Sequence, residues 1–174
     1  MKRKPYFQLL LGLLVILTAG CKTNEEDKNL RGKVELYLID DFSRIGQSFQ
    51  IDERSVVTKD VAFIEYPELL SYDPEAHVFR LSEKAKDRIA KIEDIHGVPF
   101  AVKANGILIY TGYFWWSYSS GMCDWVVIDP LFLEIGDELK VQLGYPGLTE
   151  GQVIPDNRND KRIIEIFQRD NKLK

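Results

Sequence analysis

Hydrophobic positions along the chain change period several times, and each change marks an element. Val34-Glu35-Leu36-Tyr37-Leu38-Ile39 alternates and then runs apolar, which predicts a strand. Residues 40–60 are polar and carry no clear period. Val61-Ala62-Phe63-Ile64 predicts a strand closed by Pro67, and Asp73-Pro74 a turn. His77-Val78-Phe79-Arg80-Leu81 predicts a short strand. Ala85, Ile89, Ile92 and Ile95 then fall on one helical face, with Lys84, Lys86, Asp87, Lys91 and Glu93 largely elsewhere. Ser82 suits the N-cap, Gly97 the stop, and Pro99 blocks a return, so a helix is predicted over 82–95. Phe100-Ala101-Val102-Lys103-Ala104 and Ile107-Leu108-Ile109-Tyr110 predict two antiparallel strands. Asn105-Gly106 between them is the pair that favours a type I′ turn.

Trp125-Val126-Val127-Ile128 and Leu139-Lys140-Val141-Gln142-Leu143 predict further strands, separated by the breakers Asp129-Pro130 and Gly136-Asp137. Tyr145-Pro146-Gly147 breaks the chain again. Ile163, Ile164, Ile166 and Phe167 then mark a C-terminal helix over 159–169, with Arg169, Lys172 and Lys174 at its basic end. There is no internal repeat. The expected fold is α+β: a mostly antiparallel sheet with one central and one C-terminal helix.

The first residues stand apart. Lys2, Arg3 and Lys4 are basic, Pro5 to Gly20 carry no charge, and Leu9 to Leu17 form an apolar centre shorter than a membrane span of ~20 residues. This is the make-up of a secretory leader. It ends in Leu17-Thr18-Ala19-Gly20-Cys21, which resembles a bacterial lipobox. That resemblance implies cleavage before Cys21, diacylglyceryl transfer to its thiol and acylation of the new amino group. Two or more acyl chains suffice for stable anchoring, whereas one is marginal. The expected organisation is a signal peptide over 1–20, a lipidated Cys21 with a tether through residue 33, and a single domain over 34–174. The tether carries Glu25-Glu26-Asp27, an acidic stretch similar to the surface-export signals of some Gram-negative lipoproteins; a plain solvated linker has the same composition. Lys22 stands where inner-membrane lipoproteins often carry Asp, which implies the outer membrane where there is one.

Loss of residues 1–20 removes three basic residues and no acid, taking the net charge from −4 to −7. With a pI near 5.3 the chain is no basic nucleic-acid binder. Twelve Gly, seven Pro and two Cys among 174 residues exclude collagen-like and disulfide-dense classes. Once Cys21 is lipidated only Cys123 remains, so no intramolecular disulfide is expected.

Residues 79–85, 96–102 and 105–110 together resemble the strand–helix–hairpin unit of the large periplasmic domain of the translocase subunit SecD. The likeness concerns scaffold positions in ~35 residues. It implies a local fold and an extracytoplasmic setting, and carries over no functional residue.

Candidate chemistry centres on Tyr110 to Trp125, which holds all three Trp residues. In an extended strand Tyr110, Gly112, Phe114 and Trp116 share one side, Tyr113 and Trp115 the other. Two aromatic sides mean either that both faces are covered, with the C-terminal helix as cover, or that one is a binding surface. Tyr113, Trp115, Trp116, Tyr118 and Trp125 are the candidate contact residues. Cys123 with His77 or His96 would be the parts of a cysteine hydrolase, although no nucleophile motif surrounds it. Asp156-Asn157-Arg158-Asn159-Asp160 offers oxygen ligands for calcium or a helix cap. Asp40-Asp41 and Asp124…Asp129 are acidic pairs beside strand ends, read as a glycosidase pair or as caps. The sequence therefore predicts a membrane-anchored, extracytoplasmic lipoprotein whose domain is a non-catalytic binding or envelope-assembly module, with an envelope protein or a glycan as its partner. A glycan-binding module and a Cys123 hydrolase remain as alternatives, and no cofactor, metal or nucleic acid is expected.

Overall fold

Asn105 and Gly106 both take positive φ, 54° and 75°, and so close the tight turn that their sequence favours. The strands they join, β5 (Val98–Ala104) and β6 (Ile107–Phe114), are antiparallel. The computed structural model describes residues 32–94 and 97–174. The predicted signal peptide, Cys21, the tether through residue 31, and Ile95 and His96 lie outside the described residues. The remaining strands are β1 (Val34–Asp41), β2 (Val57–Thr58), β3 (Leu69–Asp73), β4 (Val78–Leu81), β7 (Cys123–Ile128) and β8 (Glu138–Tyr145). The helices are α1 (Glu83–Ile89) and α2 (Lys161–Arg169). The eight strands form one sheet in the order β2-β1-β5-β6-β7-β8-β4-β3, antiparallel except for β6 and β7. The protein is α+β, as its periodicity predicts.

The sheet has two differently covered faces. On one, Leu36, Phe100, Tyr110, Phe114, Ile128, Leu139, Phe79 and Tyr72 are buried. Phe167 of α2 packs on Tyr72 and Phe79 with ring centroids 5.6 and 5.8 Å away. Ala85 and Ile89 of α1 are buried with them. On the other face a loop over residues 42–55 covers β6 and β7, setting Phe42 and Phe49 edge-on to Tyr113. The sheet edge at β3 is occupied. The outer edge of β3 exchanges hydrogen bonds with the C-terminus, Tyr72 N to Lys172 O and Lys174 N to Tyr72 O, each 2.9 Å.

Two local expectations are corrected, and one strand was missed. The helix predicted over 82–95 ends at Ile89. Beyond it Ile92 N donates to Ile89 O at 2.9 Å, a three-residue step, because apolar positions spaced 89, 92 fit a 3-10 turn as well as an α-helix. Val61–Ile64 is no strand: only Ile64 bridges Leu36, and Val61 is 74% exposed. Strand β3 has no alternating signal, because a register shift between Leu69 and Ser71 puts Leu69 and Tyr72 on the same side.

The inner end of α1 is tied down by Glu68. Its carboxylate receives both Nη atoms of Arg88 at 2.8 Å and the Glu65 N–H at 2.9 Å, with Lys84 Nζ 3.4 Å away. The Arg88 guanidinium, more than any other group, holds the carboxyl down at about 2. A depressed carboxylate stabilises the fold above its unfolded pKa and loses that stabilisation as pH falls through the folded value. The melting temperature is therefore expected to fall between about pH 4.5 and pH 2. Glu68→Gln, measured by thermal melting, should cost about 2 kcal/mol at pH 7 and show a shallower acid limb. This is less than the ~3–5 of a fully buried pair, because Arg88 keeps contact with water. An unchanged acid limb in Glu68→Gln would remove Glu68 from the account.

Candidate functional site

The aromatic segment divides at Phe114. Up to that residue it is strand β6, and from residue 115 to 122 it is an eight-residue connection to the parallel strand β7. Parallel neighbours usually need a longer crossover. Here the short link is filled by two indoles, one over each face. Trp115 continues the pairing through its N–H to Ile128 O at 2.8 Å and packs against Phe49, centroids 5.1 Å apart. Trp116 lies toward α1.

Of the five candidate contact aromatics, Tyr113, Trp115, Trp116 and Trp125 are buried, and Tyr118 is 58% exposed. The Trp125 indole donates to Thr111 Oγ1 at 2.9 Å, inside the sheet. Both aromatic faces are covered. The cover over Tyr113 and Trp115 is the 42–55 loop; the C-terminal helix packs farther along the opposite face. Phe49 N donates to Asp124 Oδ1 at 2.6 Å and pins that loop. Arg44 stacks 4.5 Å over Phe49. The wide stacking surface expected from these residues is thus core, with only the Tyr118 ring free at its end.

Cys123 and His77 do not meet. Cys123 is buried, and burial pushes its thiol up to about 12, so at neutral pH it is a protonated thiol. It pairs with Tyr145, whereas the His77 carbonyl receives Val141 N–H. Tyr145 and Val141 are about 13 Å apart along β8. His96 lies outside the described residues. Folded protein is expected to resist alkylation by iodoacetamide at pH 7 over hours and to react within minutes once denatured; mass spectrometry reads both. Rapid labelling of the folded chain would reopen the thiol chemistry.

The acidic candidates do not form a glycosidase pair. Asp124 and Asp129 bracket β7 at a span of about 16 Å, beyond the ~5–9.5 Å of glycosidase pairs. Asp129 caps a 3-10 turn, Pro130–Glu134, by accepting Leu131 N–H at 3.0 Å. Asp40 and Asp41 are exposed at the end of β1. In the 156–160 loop the Arg158 guanidinium occupies Asp156 at 2.7 and 2.8 Å and donates to Val141 O. Asn159 receives the Tyr72 hydroxyl at 2.8 Å, and Asp160 caps α2. This loop is a latch onto β3 and β8, and Arg158 sits where a cation would.

What the sequence did not mark is a concavity at one end of the sheet. The loops after β4, β6 and β7 meet there. Ile89 of α1, Trp116, Pro130 and Leu133 floor a cavity of about 250 Å³, with Glu83, Lys86, Asp87 and Ala90 at its rim. An apolar floor with a charged rim has the anatomy of a protein interface. Its volume is below that of most small-molecule pockets, ~300–1,000 Å³, and suits one or two inserted side chains. The chain enters the domain at the other end. Val34 pairs with Ala104, next to the 105–106 turn, and β6 alone then rises about 23 Å to Phe114.

Compared with family models, curated proteins and solved structures, the chain has no match. Among the described residues no helix is long and apolar enough to cross a membrane.

Proposed function

We propose that this chain is a lipid-anchored, extracytoplasmic lipoprotein whose domain binds a protein of the cell envelope. The leader ending at Cys21 supports the anchor, and the Lys22 that follows favours an outer membrane where two membranes are present. The observation that carries the binding role is the Trp116 cavity, at the end of the sheet remote from where the tether joins. The cavity receives an anchor side chain of the partner, and Lys86 and Asp87 fix its orientation.

Two arms test this in intact bacteria. Labelled palmitate is expected on the full chain and absent from Cys21→Ala, with the variant lost from the membrane fraction. A photoreactive amino acid at Asp87 is expected to crosslink an envelope protein, and one at Glu75, on the turn before β4, is not. Equal palmitate on both chains overturns the anchor. Equal crosslinks from both positions, or none from Asp87, overturn the binding surface.

A further inference from the structure

The outward face of β8 and β4 carries the exposed charged side chains Arg80, Glu138 and Lys140. Beyond the 42–55 loop it presents Glu138, Lys140 and Gln142 of β8, with Val78 of β4 buried beneath them. The 3-10 turn overhangs it with Phe132 52% and Ile135 89% exposed. Together with Gly136 and Asp137 these residues line a groove of about 420 Å³. Arg80 is held by Asp137, which leaves Glu138 and Lys140 facing solvent two residues apart on one strand.

We infer that a second copy of this chain occupies this groove, in a two-fold dimer formed by the outer faces of β8. Three features favour a copy over an unrelated chain. A two-fold contact needs a knob and a recess on the same patch, and Ile135 stands directly beside the groove that would receive its equivalent. Opposite charges alternate along β8, so an axis passing between residues 138 and 140 sets each Glu138 against Lys140 of the partner subunit. A face-to-face pair of sheets ~10 Å apart is filled by side chains of this size. The α1 cavity lies on the other side of the 3-10 turn and stays open in the dimer, so this inference does not rest on the proposed function.

The test uses the full chain in intact bacteria with a photoreactive amino acid at position 135. A crosslinked band at twice the chain mass is expected. Glu138→Lys alone and Lys140→Glu alone should each weaken that band at least tenfold by opposing like charges. The double exchange should restore it to within twofold. Both positions are exposed, so melting should be unchanged in all three variants. No double-mass band, a band of another mass, or a double-mass band indifferent to the exchanges overturns the dimer. None of these outcomes bears on the Asp87 crosslink, which separates this failure from failure of the binding surface.

Discussion

Gly112→Ala is expected to lower the melting temperature by about 10 °C. A Cβ built on Gly112 would stand 2.6 Å from Phe100 Cζ and 2.7 Å from the Val126 carbonyl oxygen. Phe100 lies directly across the ladder from Gly112, and its ring fills the space that the missing side chain leaves between Tyr110 and Phe114. The ring could turn, but the carbonyl belongs to β7 and cannot move without breaking the short parallel pairing. Overpacking of this kind costs about 3 kcal/mol, and each kcal/mol is worth roughly 2–4 °C in a chain of this size. Adding Phe100→Leu should recover only part of the loss, because the carbonyl contact remains. A shift under about 2 °C in the single variant would show that β6 and β7 are not this close.

Phe167→Ala should cost about 4 kcal/mol, within the range for emptying a buried aromatic site. The ring is fully buried and touches Tyr66, Tyr72 and Phe79, with centroids 5.5 to 5.8 Å away. Two strands and the end of the chain depend on it. Lys172 donates its ammonium to Leu69 O at 2.7 Å, and its backbone carbonyl receives Tyr72 N–H. Loosening α2 frees that edge. Amide exchange in Leu69–Asp73 is therefore expected to accelerate more than exchange in β5 or β6. Phe167→Leu keeps most of the volume and should lose less than half as much. Equal acceleration across the sheet would mean that α2 and β3 do not open as a unit.

The sequence carried its information in local rules. The Asn105-Gly106 pair closes the hairpin because few residue pairs take positive φ twice at so little cost. Ser82 and Asp160 cap α1 and α2 because a short polar side chain can reach the free N–H groups of the first turn. These rules located most strands and both helices. They failed where two periods coincide, as at Ile92, and where a bulge resets the phase, as at Leu69. The aromatic segment was visible as an anomaly, and the loop that covers its Tyr113 side, rather than the C-terminal helix, was not.

Sequence alone determined the α+β class, the hairpin and the helix caps, because each depends on residues adjacent in the chain. Only the tertiary structure decided that the 42–55 loop, rather than a ligand, covers Tyr113 and Trp115. It also decided that Cys123 and His77 stay apart and that Trp116 floors a cavity beside α1. Those outcomes depend on which strands become neighbours, and strand order is set by burial summed over the whole sheet rather than by any short stretch of residues.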